Sequence, residues 1–355
     1  MLVLAIETSC DETAMALVEF DAKKEKIKIL ASGVSSQIKV HRKFGGVVPS
    51  LAAREHEKNL PIVLKKILEN SQLQTLDSKI DIIFVTEGPG LIPSLLLGVN
   101  FARAIAYRYK IRILPVNHLS GHLYSPLIST EKLNQWQKFK KIEFPVISLI
   151  VSGGHTILLL LENLYKYKVL GETRDDAAGE AFDKVGRLLG LPYPAGSELE
   201  KLAAGGNDAA FNFPRPMIHQ KNYEFSFAGL KTAVLYAFQG FSKLQTLNSK
   251  LKSNIAASFQ KAVVDVLTEK TIRAAREFKA KTVLVGGGVI NNCVLQYSIK
   301  RASRKLKRGI RVLFPDRSLT TDNALMIAAA GFLKLLSGTR PKTWKTIDAD
   351  ANLRL

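Results

Sequence analysis

The stretch Val146-Ile147-Ser148-Leu149-Ile150-Val151-Ser152-Gly153-Gly154-His155-Thr156-Ile157-Leu158-Leu159-Leu160-Leu161-Glu162 decides how this chain folds. Val146–Val151 is uncharged and rich in β-branched residues, the pattern of a strand buried on both faces. Ser152-Gly153-Gly154-His155 is a small-residue turn, and Thr156–Glu162 is the strand that returns from it. Outward from this hairpin, Tyr167–Glu172 reads as a third strand, followed by helices across Gly179–Leu189 and Glu198–Ala204. Phe227–Phe241 and Ile255–Phe278 add more helix. Thr282–Val285 is again a buried strand, ending in Gly286-Gly287-Gly288 before a helix from about Asn292, and Arg311–Phe314 is a strand.

The first third of the chain has the same order. Leu2–Ile6 and Ala14–Phe20 pair across the polar turn Glu7-Thr8-Ser9-Cys10-Asp11-Glu12, and Lys28–Val34 is a third strand. A helix opens at Pro49-Ser50, Ile80–Thr86 is a strand ending at Gly88-Pro89-Gly90, Ile92–Tyr109 is a helix starting near Pro93, and Arg112–Val116 closes the half. Three strands, helix, strand, glycine turn, helix, strand therefore occurs twice. That order implies a duplicated α/β fold of two lobes with a central ligand cleft, as in actin-like and sugar-kinase-like ATPases (the ASKHA, ribonuclease-H-like class). The expected lobes are residues 1–116, joined by the C-terminal helix at about 323–355, and residues 117–322, carrying metal and nucleotide loops. Glu131–Ile142, polar and basic, reads as a surface loop between the halves. Asn323–Leu336 is the last long helix, and from Ser337 the chain turns polar, as a surface tail does.

Composition narrows the function. The longest apolar runs, such as Ile157–Leu161, are strand-sized, against the ~20 residues of a membrane span. The start Met1-Leu2-Val3-Leu4-Ala5-Ile6 lacks the basic residues and cleavage site of a signal peptide. Two cysteines, Cys10 and Cys293, without metal-ligand spacing fit a reduced cytoplasm rather than a disulfide framework. With 51 Lys+Arg against 31 Asp+Glu, the net charge of +20 points to a polyanionic partner; a lysine-rich proteome with solvated surfaces accounts for it equally well. The basic residues fall in runs, among them Lys138 to Lys141 and Arg301 to Arg308.

Three places could carry chemistry. In Val116-Asn117-His118-Leu119-Ser120-Gly121-His122 the histidines lie four apart, so on a helical turn both imidazoles reach one cation. A divalent ion wants a third donor, and Asp322 in Leu319-Thr320-Thr321-Asp322-Asn323 is a carboxylate that no apolar periodicity explains. Spacing alone allows a decorative surface pair; position after a strand, among glycine loops, favours a site. The Ser152-Gly153-Gly154-His155 turn exposes backbone N–H groups to an anionic oxygen, with Thr8 to Thr13 as its counterpart facing it across the cleft. Asp11 and Glu12 there are either hairpin-solvating carboxylates or acid–base and metal-shell groups. Asp175 to Asp183 packs four carboxylates into nine residues before a helix, more than capping requires; the dipole alone could favour them, whereas Asp183, one turn in, could meet a ribose hydroxyl. Gly287-Gly288-Val289-Ile290-Asn291-Asn292 offers close backbone approach plus an amide for a base or sugar. No Gly-x4-Gly-Lys-Ser/Thr loop is present, which excludes ordinary P-loop chemistry.

These residues also carry a resemblance. Ile6–Thr13, Gly45–Pro49, Gly88–Leu91, Asn117–His122, Val151–Thr156, Asp175–Lys184, Phe225–Thr232 and Thr321–Ala324 resemble, in order and over nearly the whole chain, the TsaD family of tRNA N6-adenosine threonylcarbamoyltransferases. The resemblance implies metal ligation by His118, His122 and Asp322, and substrate contacts from Val151, Ser152, Gly153, Gly154, His155, Asp183, Gly196 and Asn292. Glu200 stands where the family often has aspartate, Ser50 and Ala53 where it usually shows Glu and Ser, and Pro93 and Ala195 where it frequently has glycine. It further implies one divalent metal per subunit, iron(II) with zinc as the alternative, and transfer of threonylcarbamoyl from threonylcarbamoyl-AMP to tRNA. The accepting amine is N6 of the adenosine after the anticodon, in tRNAs reading ANN codons. The implied partners are tRNA, a TsaB-like paralogue and a TsaE-like ATPase, with no membrane. Glu12 is the candidate carboxylate near the reacting centre, beside His118 and His122. A metalloprotease would need His-Glu-x-x-His, but Leu119 follows His118; a kinase or regulatory ATPase matches the lobes but explains neither the histidines nor the charge.

Overall fold

The structure, a computed structural model, describes residues 1–71, 73, 80–131, 133–243, 248–306 and 309–355. Residue 132 of the expected surface loop and the end of the basic run 301–308 lie outside the described residues. In chain order the elements are β1 (Leu2–Glu7), β2 (Glu12–Asp21), β3 (Lys26–Ser36), α1 (Ile38–His41), α2 (Pro49–Asn70), β4 (Ile82–Gly88), α3 (Ile92–Tyr109), β5 (Arg112–Asn117), α4 (His118–Tyr124) and β6 (Gln137–Lys138). They continue with β7 (Val146–Val151), β8 (Thr156–Leu161), β9 (Tyr167–Glu172), α5 (Ala178–Leu188), α6 (Gly196–Ala204), α7 (Ala228–Lys243), α8 (Ser249–Glu277), β10 (Thr282–Gly286), α9 (Cys293–Arg304), β11 (Arg311–Leu313) and α10 (Ala324–Leu336).

The strand orders show the duplication. One sheet runs β5-β4-β1-β2-β3-β6 and the other β11-β10-β7-β8-β9, so the second repeats the first strand for strand, with β6 as an added edge. In each, a central strand pairs antiparallel with the next in sequence (Leu2↔Glu19; Val146↔Leu161) and parallel with the strand that follows a helix (Val3↔Ile82; Thr282↔Val146). This is the duplicated α/β arrangement of the actin-like and sugar-kinase-like class.

The chain forms two compact units, Met1–Lys141 with Pro315–Leu355, and Ile142–Phe314. The expected boundaries at 116 and 322 are corrected by this division. The segment after β5 stays with the first sheet because β6 pairs with β3 (Ile27↔Gln137), and because Ser129, Thr130 and Lys140 all reach the Asp316 carboxylate, at 2.8, 2.7 and 3.3 Å. What reads as a loop between halves is therefore partly a sheet edge.

In the first unit β1 is buried along its whole length because both faces are covered. Leu2, Leu4 and Ile6 join Leu60, Val63 and Ile67 of α2 and Val99 and Ala102 of α3 in one core. The opposite face meets α10, where Phe332 stacks on Phe20 at 4.1 Å and Gly331 sits against Phe84. Each such side chain contributes roughly 1.5–3 kcal/mol by leaving water. The tail also departs from expectation. Lys342 bridges to Ile113, Ile347 is buried, Asp350 N–H donates to Glu87 O at 2.7 Å and Asn117 Nδ2 donates to Arg354 O at 3.0 Å. The backbone of Glu87 at the end of β4, the free edge of β5 at Ile113 and the Asn117 side chain supply these partners, so polar composition here marks packing against the sheet rather than a loose tail.

In the second unit Ile147, Leu149 and Val151 of β7 pack with Phe182 and Val185 of α5, Leu230 of α7, Phe259 and Val263 of α8 and Leu295 and Ile299 of α9. Helix α9 opens where Gly287, at φ +95°, lies so close to β7 that a Cβ would stand 2.3 Å from Val151 O. That approach fixes the β10–α9 turn beside the Ser152–His155 turn.

Candidate functional site

In the first unit β5 passes directly into α4. Asn117 caps the helix, its Oδ1 accepting from Leu119 N–H at 2.8 Å and Ser120 N–H at 3.3 Å. The helix thus starts at His118, and His118 and His122 share one side, both buried. Asn323 caps α10 through Met326 N–H at 2.9 Å, which delivers Asp322 to the histidines. Asp322 Oδ1 lies 3.2 Å from His122 Nε2 and 3.6 Å from His118 Nε2, the rings meet edge-on at 4.8 Å, and one ligand atom from each residue lies within 4.8 Å of the others.

Two observations fit this trio to a divalent cation. Among the described residues neither ring nitrogen of His122 has a hydrogen-bond partner, although Asp322 Oδ1 lies 3.2 Å from Nε2. An orphaned buried polar group costs about 1–3 kcal/mol, which coordination would offset. His118, by contrast, is oriented: Nδ1 lies 3.2 Å from Glu7 Oε2 and 3.1 Å from Ser9 Oγ, leaving Nε2 toward Asp322. A carboxylate behind a ligating imidazole is the usual means of fixing its tautomer. Glu7 is itself held by Ser9 N–H and Thr86 Oγ1, both at 2.5 Å. Burial alone lowers the His118 pKa, but Asp322 and Glu7 outweigh it and raise it to about 9. Burial alone raises that of Glu7, and His118 reverses this, holding the carboxyl below its usual range.

Glu12 stands at the head of β2. Burial, then Asp11 and Asp322, push its carboxyl well above the usual carboxylate range, and Ser36 Oγ donates to it at 3.4 Å. The turn Thr8 to Thr13 is braced by His56, whose ring joins Thr13 Oγ1 at 2.8 Å and Cys10 O at 2.9 Å. Glu7, Ser9, Thr86 and His56 are the supporting residues that sequence reasoning gave no role. Glu7 sits in the quoted motif, but its partner is 111 residues away.

The second unit gathers the other candidates. Ser152 N–H donates to His155 O at 2.8 Å and His155 N–H to Ser152 Oγ at 3.2 Å, closing the turn with Gly153 and Gly154 exposed at its tip. The side chain of Val151 is fully buried, so only its backbone can face a ligand. Helix α5 abuts the turn: Gly179 N–H donates to Ser152 O at 3.3 Å. Asp183, one turn into α5, accepts from Ala195 N–H at 2.7 Å and so holds the start of α6 at Gly196. Glu200 Oε1 accepts from Cys293 N–H at 2.7 Å. Asn292 caps α9 through Leu295 N–H at 2.9 Å and donates from Nδ2 to Gln260 at 2.7 Å, so its amide is already engaged. The dense carboxylates have structural uses too. Asp175 caps α7 at Phe227 and Ala228 N–H, and Asp176 pairs with Lys184 at 2.8 Å and Lys231 at 2.9 Å. These two acids, unexplained in sequence, tie α5 and α7 together.

Comparison with known proteins places the chain in a family. A family model described as TsaD, tRNA N6-adenosine threonylcarbamoyltransferase, matches residues 28–329. The chain is 48% identical over 355 residues to the tRNA N6-adenosine threonylcarbamoyltransferase of Thermosipho melanesiensis, covering 100% of both chains. It is 43% identical to that of Clostridium perfringens strain SM101, covering 100% of this chain and 98% of that one. Among solved structures it superposes on full-length HypF in its phosphate- and nucleotide-bound form (TM-score 0.56, 13% identity, 95% of this chain, 55% of that one). It also superposes on T.kodakarensis HypF (TM-score 0.58, 15% identity, 95% of this chain, 48% of that one). The chain spans about half the length of these two structures, and the likeness shows a shared fold. Matched along its whole length by relatives of one name, the chain belongs to the TsaD family of tRNA N6-adenosine threonylcarbamoyltransferases.

Proposed function

We propose that the chain takes threonylcarbamoyl-AMP as donor and transfers its threonylcarbamoyl group to N6 of the adenosine following the anticodon, in tRNAs reading ANN codons, releasing AMP. The observation that carries this reading is the trio His118, His122 and Asp322, with neither His122 ring nitrogen hydrogen-bonded among the described residues and His118 oriented by Glu7. Those three residues would hold one divalent ion, iron(II) in our reading and zinc as the alternative, which when bound supplies a Lewis acid and template for the threonylcarbamoyl group. An adenine amine is a weak nucleophile, so positioning and carbonyl polarisation must supply the rate.

The N–H groups of Gly153 and Gly154, together with His155 and the Val151 backbone, receive the phosphate in this reading, with Ser152 closing the turn behind them, and the exposed glycines support close approach. Asp183, Gly196, Glu200 and Asn292 frame the ribose and base. Glu200 Oε2 has no protein partner among the described residues, which suits a ribose hydroxyl. As N6 attacks the carbonyl, the bond from carbonyl carbon to phosphate oxygen breaks, AMP departs, and the N6 proton passes to a base. Glu12 is our candidate, because a raised pKa brings a carboxylate closer to proton exchange near neutrality.

A TsaB-like paralogue and a TsaE-like ATPase complete the reading. A groove of about 840 Å³ between α2 and α3, lined by Leu64, Leu68, Phe101, Ile105 and Tyr109, supports docking of the paralogue. No helix among the described residues is long and apolar enough to cross a membrane, and we place the reaction in the cytoplasm. The test is mass analysis of tRNA nucleosides after incubation with threonylcarbamoyl-adenylate. Threonylcarbamoyladenosine and free AMP are expected; label passing from the γ-phosphate of ATP to RNA or a small molecule, with no product from the adenylate, gives the site to a kinase instead.

A further inference from the structure

Helix α9 buries Leu295, Ile299 and Ser303, which fixes the side it turns outward. On that side stand Val294, 42% exposed, and Tyr297, 64% exposed, followed by Lys300, Arg301, Arg304 and Lys305, all exposed. The helix has no acidic residue. Among the described residues Arg301, Arg304 and Lys305 enter no ion pair and Tyr297 packs on no ring, while Lys300 leans over Phe314 at 4.9 Å. Cations in the last turn do offset the helix macrodipole, but that leaves Tyr297 and Val294, one to two turns earlier, unexplained. A solvated face has no need of an exposed aromatic ring in line with unpaired arginines.

The first turn of α9 is joined to the nucleotide-framing residues of the same unit, through the Asn292 cap and the Glu200 bond to Cys293 N–H. From there twelve residues carry the face outward for about 18 Å. We propose that the outer face of α9 is an RNA-docking track, with Tyr297 stacking on an unpaired base of the anticodon loop and Arg301, Arg304 and Lys305 holding the flanking phosphates. Single-stranded loops are recognised by such stacking, and guanidinium groups grip phosphate bidentately. An acidic protein would satisfy the cations but leave the stacking surface without use. The proposal rests on tRNA being the substrate and goes beyond it in naming the surface.

The test measures binding of unmodified tRNA to the full chain across about 50–200 mM salt, for the unaltered protein, Tyr297→Ala, Tyr297→Phe and the double change Arg301→Glu with Arg304→Glu. Tyr297→Ala should weaken binding by about 5-fold or more, and Tyr297→Phe should restore it. The double change should flatten the log–log salt slope by about 1.4–1.8, two phosphate contacts at 0.7–0.9 each. AMP affinity should not move in any variant. Nucleoside analysis on the same preparations reports the activity separately: product formed, with tRNA affinity and slope unchanged in the variants, overturns the track and leaves the transferase standing. No measurable tRNA binding by the unaltered chain overturns it as well. A defect seen only when a second protein subunit is added, with binary tRNA affinity intact, assigns the face to that protein and also overturns it.

Discussion

Replacing Gly179 or Gly154 by alanine adds the same methyl group to two sides of one turn, with opposite expected consequences. At Gly179 the new Cβ would stand 2.5 Å from Ser152 O and 2.8 Å from Gly153 Cα. Ordinary contact begins at 3.4 Å, so a shift of nearly an ångström is required, and both neighbours are backbone that cannot swing aside. Overpacking of this kind costs about 1–3 kcal/mol. If the turn positions the reacting group, an error of that size lowers kcat/KM by about 10²-fold. At Gly154 an added Cβ meets nothing within 4 Å, and its φ is not left-handed, so stability should stay within about 0.5 kcal/mol. Any ligand phosphate seated on the turn would meet that methyl group directly. Thermal unfolding together with AMP titration separates the two: Gly179→Ala loses stability and binding, Gly154→Ala loses binding alone. Gly154→Ala binding AMP as tightly as the unaltered chain would refute the assignment of this turn to the phosphate.

His122→Ala should abolish metal retention while the chain stays folded, checked by elemental analysis beside circular dichroism, because one histidine and one carboxylate hold a divalent ion poorly. In protein stripped of metal by a chelator, His118 is protonated up to about 9 against an ordinary 6.5. The stability from that imidazolium is complete below 6.5 and lost as pH rises toward 9, so the melting temperature of the stripped chain should fall across that window. Asp176→Asn should cost about 1 kcal/mol at neutral pH through its two lysine partners. Because the Asp176 carboxyl lies below its usual 3.8, burial being outweighed by Lys184 and Lys231, that difference persists above 3.8 and vanishes as acid takes the pH through the lowered value. Denaturant unfolding at neutral and acid pH measures it.

Local patterns were legible in the chain. Helix α3 spans Ile92–Tyr109 as read, because Pro93 pre-sets its first turn and Lys110, in the left-handed conformation, ends it. The doubled strand order was legible because β4 and β10, the corresponding strands of the two halves, each end in a glycine turn before a helix. The trio His118, His122 and Asp322 was legible in part through the four-residue spacing, and the structure brings the distant aspartate to it. What could not be read depends on partners far apart in sequence. Glu200 bonds a backbone group 93 residues away, Asp175 caps a helix 52 residues away, and Glu7 meets His118 across 111. Strand β6, two residues long, leaves no periodicity to detect, and without it Glu131–Ile142 reads as a surface loop between the halves.

The discontinuity of the first unit sets an order of assembly during synthesis. Residues 142–314 form one continuous unit, whereas the first sheet waits for α10, made only after that unit is complete. Asp322 is joined 200 residues after His122, which at 5–20 residues per second leaves the paired imidazoles without their carboxylate for about 10–40 s. Until Asp322 joins them, a nascent chain offers only two of the three residues of the trio. Any ion held by the three residues together would be captured only once Asp322 has joined the histidines.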